Sequence, residues 1–297
     1  MVRLLEERGI MAEAKATRAP DDATRLTGEA IVNGSNIIIS YGGDGTLNEV
    51  IQAMVGSDAV LGVWAGGTAN VVARDLNLPR DTKRLADVIA RGITKRIALG
   101  YTSQNQATGG KNPEPKSDIK TSESRVQTPD SKPRNRFFLM FAGIGLDASI
   151  SQGVNRKLKR KTGEFAFWVS GIKHLLMWKR EPFTVEVDGK RYESAFTLIG
   201  NGKSYGGNLE MAKNARLEAP EFEVFILPRH RTNIAYVFAL IKCFFKKPEK
   251  SSATIVKGNH VSMDSDKEVW VELDGEVIGT LPMTFEVLPD ALSVIVP

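Results

Sequence analysis

Two glycine-rich loops, each between a strand-like run and a helical pattern, constrain the fold of this chain more than any other feature. The first, GGDG at residues 42–45, follows the apolar run NIIIS and precedes the helical pattern LNEVIQAM. The second, GGTAN at residues 66–70, follows AVLGVWA and again opens a helix. Repeated strand–loop–helix units of this kind predict an α/β region built on a mostly parallel sheet.

The same two loops indicate an anion site. Glycine lets backbone N–H groups approach phosphate oxygens, and a helix N-terminus adds partial positive charge. Because successive parallel strands end at one edge of the sheet, we expect both loops at the edge where open α/β sheets bind ligands. Neither is a Walker A loop or a dinucleotide fingerprint. Asp44 has two interpretations, a carboxylate that faces a metal ion or an attacking hydroxyl, and an ordinary helix N-cap.

Composition divides the chain into three parts. Residues 1–100 carry the alternating helix and strand patterns of a nucleotide-binding α/β domain. Residues 101–135 hold only four apolar residues in 35, which predicts a disordered polar insertion. Residues 136–297 consist largely of β-branched and aromatic runs, with Asp188-Gly189 and Asp274-Gly275 as hairpin turns and helical patterns near 163–179 and 233–245. This last part is predicted to be mostly antiparallel β.

Several classes of protein are excluded. One cysteine and three histidines rule out a disulfide framework and a structural zinc site of the usual kind. No apolar run is long enough to span a membrane, and the first residues lack the apolar core of an export signal, so we expect a cytoplasmic protein. The net charge of +5 is compatible with anionic partners.

Three segments taken together resemble the diacylglycerol kinase catalytic domain family of bacterial lipid kinases, which includes sphingosine kinase relatives. They are GGDGTLNEV, GGTANVVARDLNLP and the late LDGEVIGTLPMTFEVLPDALSVIVP. GGDGT alone is shared with NAD kinases and phosphofructokinases. Its combination with GTxN and a terminal DGE favours the lipid kinases, and the resemblance covers nearly all of the chain outside 101–135.

The resemblance implies a fold and a reaction. The fold is an α/β domain followed by an antiparallel β-sandwich domain with packed helices and lipid-binding function, with one or more C-terminal strands returning to the first domain. The reaction is transfer of the γ-phosphoryl group of ATP, with Mg²⁺, to the hydroxyl of diacylglycerol or a related long-chain lipid alcohol. It takes place in the cleft between the two domains.

Residue roles follow from the same resemblance. Glu276 matches the proton acceptor, with Asp274 adjacent and Asp44 as the third candidate catalytic residue. The implied nucleotide contacts are Thr17, Gly42, Gly43, Asp44, Gly45, Thr46, Leu47, Asn48, Glu49, Gly67, Thr68 and Asn70. No metal ligand is assigned.

The chain also departs from the family pattern. Members begin with a strand that ends in an Asn-Pro-x-Ser-Gly-like turn, whereas this chain starts in the following helix, VRLLEERG, so that the first strand is missing. Ala98 stands where members tend to carry an aspartate, and residues 216–222 replace a more acidic turn linked to structural magnesium. Two alternatives therefore stay open, a catalytically impaired lipid-binding relative and a kinase of a soluble acceptor, as in NAD kinases.

Two basic and aromatic stretches predict peripheral contact with an anionic membrane surface. Residues 156–161 hold five cations and precede Phe165, Phe167 and Trp168. In the second stretch, residues 236–250, aromatic and basic side chains alternate: Lys242, Phe244, Phe245, Lys246, Lys247 and Lys250. The alternative is a helix whose apolar stripe covers the β domain while its lysines face solvent. No nucleic-acid-binding module is present, so no nucleic acid partner is expected, and a homodimer is left open.

Overall fold

The computed structural model describes residues 1–103, 136–146, 178–203 and 211–297. The helices in this part of the chain are α1 (Val2–Glu6), α2 (Asp22–Val32), α3 (Asp44–Met54), α4 (Val71–Asp75), α5 (Thr82–Arg91) and α6 (Ile234–Phe244), with a 3-10 turn at Pro248–Lys250. The strands are β1 (Ile37–Gly42), β2 (Val60–Ala65), β3 (Thr94–Ser103), β4 (Arg136–Phe138), β5 (Phe141–Ile144), β6 (Phe183–Val187), β7 (Lys190–Ser194), β8 (Phe196–Gly200), β9 (Phe222–Leu227), β10 (Thr254–Gly258), β11 (His260–Asp264), β12 (Trp270–Leu273), β13 (Glu276–Thr280) and β14 (Met283–Ile295).

The first sheet has eight strands in the order β1-β2-β14-β11-β6-β7, with β3 paired to β14 and β4. β1 and β2 are parallel, and the C-terminal end of β14 is parallel to β2, so the predicted parallel strands of the α/β region are present. β3 runs antiparallel to β14, and the sheet as a whole is mixed.

Helices cover both faces of the β1–β2 pair. Ile37 and Ile39 point to a cluster formed by α1 and α5, whereas Ile38 points to the cluster that contains Leu47 and Ile51 of α3. A strand buried on both faces is apolar throughout, which explains the continuous run NIIIS.

The second sheet has six strands in the order β10-β9-β8-β5-β12-β13, all antiparallel. It packs face to face against the first sheet through a shared core in which Phe138 of β4 stacks on Phe222 of β9 at a centroid distance of 5.7 Å. The predicted antiparallel β-sandwich is therefore confirmed, and it shares its first sheet with the α/β region.

The last strand joins the two regions. The N-terminal end of β14 pairs with β11 in the sandwich, and its C-terminal end pairs with β2. The register against β3 shifts between Leu288 and Leu292, next to Asp290 at φ 47°. A bulge of this kind bends a strand, so β14 can serve both regions. The predicted return of a C-terminal strand to the first domain is observed.

The predicted insertion begins too early at residue 101. β3 continues to Ser103, because Tyr101 and Thr102 pair with both β14 and β4. The ring of Tyr101 also packs on Phe137 at 5.2 Å, and Thr102 is buried. Residues 104–135 lie outside the described residues, as do the basic stretch 156–161 with its aromatics and most of the helical pattern near 163–179.

The Asp-Gly turns and the helix near 233–245 that were predicted in the second half are confirmed. Asp188-Gly189 and Asp274-Gly275 both have positive φ and connect β6–β7 and β12–β13, as a type I′ turn requires. The pattern at 233–245 is α6, with Asn233 and Phe245 as its caps. None of the helices in the described ranges combines the length and the hydropathy of a membrane span.

Gly100 tests how closely the sandwich core is packed. A Cβ at this position would lie 2.1 Å from the ring of Phe138, whereas a Cβ at Gly28 in α2 would meet nothing within 4 Å. We expect Gly100→Ala to lower the free energy of unfolding by about 1–3 kcal/mol through overpacking. Gly28→Ala should leave it unchanged or raise it by up to about 1 kcal/mol, because alanine favours helix.

Urea denaturation of both variants and the wild type measures the difference. Equal stability of Gly100→Ala and Gly28→Ala would show that the Phe138 ring has room to move and that the core is loosely packed at this point.

Candidate functional site

The two glycine loops meet backbone to backbone at the ends of β1 and β2. The Gly66 N–H donates to the carbonyl of Gly42 at 2.7 Å. A Cβ built on Gly67 would lie 2.5 Å from the Cα of Gly43. Glycine at these positions therefore permits the close approach of two loops, and the two sets of backbone amides share one edge of the sheet, as the sequence predicts.

Asn70 closes the second loop on itself. Its Oδ1 accepts from the Gly67 N–H at 2.9 Å, and its Nδ2 donates to the Gly67 carbonyl at 2.7 Å. Asn70 has φ 47°, a left-handed conformation that asparagine tolerates better than most residues. Thr68 is exposed in the same loop. The Asn70 side chain therefore shapes the loop, and Thr68 is the side chain free to reach outward.

Asp44 ties the first loop to the helix that follows the second. Its Oδ1 accepts from the Val71 N–H at 2.9 Å, in the first turn of α4. Burial raises the pKa of Asp44, against the opposite effect of the α4 amides that it accepts. The structure supports the interpretation of Asp44 as a helix cap. The helix that it caps is α4, which follows the second loop, and not α3, which begins at Asp44 itself.

The N-terminus of α3 has no side-chain cap. Gly43 is its N-cap, and the first intrahelical bond runs from the Leu47 N–H to the Gly43 carbonyl at 3.1 Å. The amides of Gly45 and Thr46 precede that bond and have no acceptor inside the helix. A Cβ on Gly45 would meet nothing within 4 Å, so the space in front of this turn is open. Such a helix start suits a phosphate group.

Other predicted nucleotide contacts have different roles. The Leu47 side chain is buried in the core, and its N–H donates to the Gly43 carbonyl, so neither group is available to a ligand. The Glu49 carboxylate accepts from the Ala23 N–H of α2 at 3.1 Å. Thr17 is exposed between α1 and α2, and its side chain makes no hydrogen bond to another described residue. The side chains of Leu47 and Glu49 thus take part in helix packing, and their nucleotide contacts stay predictions.

Asp274 is completely enclosed by donors. Its carboxylate accepts from the backbone N–H groups of Leu139 (2.7 Å), Met140 (2.9 Å) and Phe141 (3.0 Å), and from Nδ2 of Asn48 (3.0 Å). Burial raises the pKa of Asp274, while the four donors favour its charged form. Its oxygens hold the β4–β5 connection in place, and the catalytic role of Asp274 stays a prediction.

A series of polar contacts links α3 to Glu276. Asn48 lies one turn after Asp44 on α3 and bonds Asp274, 226 positions away in the chain. Oδ1 of Asn48 accepts from Arg136 Nη2 at 3.1 Å. Arg136 Nη1 in turn pairs with Glu276 Oε2 at 3.1 Å. These contacts thus connect three of the predicted site residues, Asn48 from the first half of the chain and Asp274 and Glu276 from the second.

The sequence analysis missed Arg136. Its side chain is only 7% exposed, whereas that of Glu276 is 37% exposed. A buried guanidinium needs partners, and here they are the carboxylate of Glu276 and the amide of Asn48. The sequence offered one indication of this role, a charged residue directly before the apolar run FFLMFAGIG. It did not indicate the partners, because they are distant in sequence.

The positions that depart from the family pattern have hydrogen-bond partners of their own. Ala98 is buried in β3, where its N–H donates to Leu217 and its carbonyl accepts from Asn201. The loop around residues 213–217 is held by the carboxylate of Glu223, which accepts from Asn214 and Ala215. Within the described ranges, no group of three or more His, Cys, Asp or Glu side chains could hold a metal ion.

The architecture defines a class of protein in which an α/β region, with two glycine loops at one sheet edge, shares a sheet with a β-sandwich. The diacylglycerol kinase catalytic domain matches residues 1–102, and the YegS C-terminal NAD kinase beta sandwich-like domain matches residues 141–296. The chain belongs to the diacylglycerol kinase family built from these two domains, which confirms the resemblance found in the sequence.

Individual relatives cover the whole chain. A diacylglycerol kinase of Bacillus subtilis (strain 168) is 27% identical over 304 residues, which span 100% of this chain and 89% of the relative. A diacylglycerol kinase of Staphylococcus aureus (strain JH9) is 25% identical, over 99% of this chain and 84% of the relative. The crystal structure of a diacylglycerol kinase from Bacillus anthracis str. Sterne superposes with a TM-score of 0.73 at 21% identity and covers 100% of this chain and 90% of that one.

Two aspartates in the same kind of turn provide a matched test of the Asp274 contacts. Asp188 also caps backbone amides, those of Asn259 and His260, but at the surface. We expect Asp274→Asn to lower the free energy of unfolding by about 3 kcal/mol or more, because an amide NH₂ would face buried N–H donors. Asp188→Asn should cost about 1 kcal/mol or less, since water can replace the lost contact.

Both substitutions keep a residue that tolerates positive φ, so turn strain is the same in the two variants. Urea denaturation followed by far-UV circular dichroism gives the two stabilities. Similar losses for the two variants would contradict the organising role of Asp274.

Proposed function

We propose that this protein is an ATP-dependent lipid kinase that transfers the γ-phosphoryl group to the hydroxyl of diacylglycerol or a related long-chain lipid alcohol. The observation that carries the proposal is the set of contacts from Asn48, one turn after Asp44 on α3, through Arg136 to Glu276. They link the helix that follows the first glycine loop to a partly exposed carboxylate, which supports a shared site. The names of the relatives support the same reaction.

The glycine loops would bind the nucleotide phosphates. In phosphoryl transfer most of the catalysis is positioning and charge stabilisation, because the transition state is loose and its charge lies on phosphate oxygens. The amides of Gly45 and Thr46 at the start of α3 supply donors and the positive end of the helix dipole. Asp44 and Asn70 hold both loops in one shape, so that the donors are arranged before the ligand arrives.

Glu276 would receive the proton of the acceptor hydroxyl. It stands at the first position of β13 with part of its side chain open to solvent, so a substrate can reach it. Arg136 holds the Glu276 carboxylate through an ion pair at 3.1 Å. We expect the acceptor hydroxyl to approach the exposed part of this side chain. Arg136 acts through Glu276 and is a positioning residue.

The described residues do not form a dedicated magnesium site. The carboxylate of Asp44 serves the amides of α4, and that of Asp274 is surrounded by four donors. Mg²⁺ is usually held by a few carboxylates together with substrate phosphates and water. We therefore propose that Mg²⁺ is carried mainly by the nucleotide, and no step of the reaction is assigned to a protein-held ion.

Glu276→Gln tests the reaction. With γ-labelled ATP and diacylglycerol in anionic mixed micelles, we expect wild-type protein to form labelled phosphatidate and Glu276→Gln to lose about 100-fold or more in kcat. Nucleotide binding of the variant should stay close to wild type, while its thermal stability should fall, because glutamine removes the charged partner of the buried Arg136. The assay is therefore run below the unfolding midpoint of the variant. Glu193→Gln, on the exposed strand β7, is the matched control and should retain full activity.

The same assay separates the alternatives. Phosphorylation of NAD⁺ without phosphorylation of lipid would select the soluble acceptor, for which the NAD kinase-like C-terminal domain is the supporting observation. Absence of nucleotide binding by calorimetry, together with binding to lipid vesicles, would select the impaired lipid-binding relative.

Gly45→Ala tests the phosphate site separately from the fold. The added Cβ would meet no protein atom within 4 Å, so the free energy of unfolding should be unchanged or slightly raised. The methyl group would occupy the open space in front of α3, and we expect the dissociation constant for ATP to rise about tenfold. Isothermal titration calorimetry measures it, with Gly28→Ala as control. Unchanged ATP affinity would place the phosphates elsewhere.

A further inference from the structure

Helix α6 has two apolar faces, one buried and one with exposed side chains. Tyr236, Ala239 and Cys243 are buried against the core. Burial raises the pKa of the Cys243 thiol to about 12, as expected for a side chain sealed from water. This inner face anchors the helix.

The outer face is a continuous stripe. Ile234, Phe238, Ile241 and Phe245 recur at intervals of three or four residues, which places them on one side of a helix. Their exposed fractions are 54%, 60%, 44% and 66%, and the neighbouring Phe244 is 48% exposed. Soluble proteins rarely leave contiguous apolar surface of this kind uncovered unless it is a binding surface. We call these five side chains the outer stripe.

Positive charge surrounds the outer stripe. Residues 229–250 contain six basic residues and one acidic residue, a net charge of +5 that equals the formal net charge of the whole chain. The acidic residue, Glu249, pairs with Lys213, which lies outside this segment. The basic residues are Arg229, Arg231, Lys242, Lys246, Lys247 and Lys250.

We propose that the outer stripe and its flanking cations dock on an anionic lipid bilayer, with α6 lying in the plane of the headgroups. An amphipathic helix with aromatic and aliphatic side chains on one side and lysines beside them binds such surfaces by apolar insertion and by attraction to anionic lipids. At 11 residues α6 is too short to span the membrane.

Charge complementarity favours this occupant over the others. Two copies of the same face would bring like charges together, which opposes a homodimer through α6. A nucleic acid would satisfy the lysines but would leave the phenylalanines without apolar contact. A bilayer offers anionic headgroups and an apolar interior at the depth that the stripe requires.

Vesicle binding tests the proposal without any measurement of activity. Sedimentation with phosphatidylcholine vesicles, with and without phosphatidylglycerol, should show tighter binding to the anionic vesicles and weakening by salt. We expect Phe238→Ser/Phe245→Ser to reduce the affinity for anionic vesicles about tenfold or more. The control is Val32→Ser/Ile93→Ser, which removes apolar side chains that are 86% and 50% exposed elsewhere on the surface.

A second pair of variants tests the charges. Lys246→Glu/Lys247→Glu should also weaken binding about tenfold or more and reduce its salt dependence. Lys83→Glu/Lys190→Glu makes the same change of net charge at exposed positions on α5 and β7 and should have little effect. The thiol of Cys243 reports on folding, since it should stay unreactive toward a thiol reagent in every variant whose α6 remains packed.

Several outcomes would overturn the proposal. They are absence of binding to anionic vesicles, equal losses in the control variants, and unchanged binding in Phe238→Ser/Phe245→Ser. The last result, together with conversion of a dimer to a monomer by light scattering, would assign the stripe to an interface between copies.

The docking surface rests on the proposed lipid kinase for its biological role, but the two can fail separately. Vesicle binding without phosphorylation of lipid would remove the proposed reaction and leave the docking surface standing.

Discussion

The buried carboxylate of Asp274 is the interaction on which the joining of the two regions depends. It accepts three backbone amides of the β4–β5 connection and the side chain of Asn48 on α3. A buried charge without partners would destabilise the fold strongly, so these donors have to stay in place for the protein to fold. One side chain therefore fixes the β12–β13 turn, the start of β5 and the helix that follows the first glycine loop.

The same principle operates at the start of α3. Asp44 caps α4 and Asn70 closes the second glycine loop. Two of the three candidate catalytic carboxylates, those of Asp44 and Asp274, hold backbone segments in position. Glu276, paired with Arg136, has a side chain that is 37% exposed, whereas the carboxylates of Asp44 and Asp274 accept hydrogen bonds from backbone N–H groups. Rigid loops and one accessible acid are what phosphoryl transfer requires of a protein.

Helix α6 differs from these elements because one of its faces is buried in the core and the other is exposed. The core holds the face with Tyr236 and Cys243, while the opposite face carries phenylalanines between lysines. A kinase that acts on a lipid needs both a precise phosphate site and a means of reaching an interface. The proposed docking surface would provide the second without disturbing the first, because it involves none of the residues that link α3 to Glu276.

The sequence by itself determined the features that depend on neighbouring residues. These include the glycine loops between strand and helix, the Asp-Gly hairpins, α6 and the order of the α/β and β parts, because local conformation follows from backbone preferences and from the period of apolar residues. Only the tertiary structure decided the role of each polar side chain. Arg136 was missed, and the contacts of Glu49 and Asp274 could not be predicted, because their partners lie far along the chain and a contact of that kind leaves no local pattern. The extent of β3 beyond residue 100 was decided in the same way, since β4 and β14 supply the hydrogen bonds that hold its polar end.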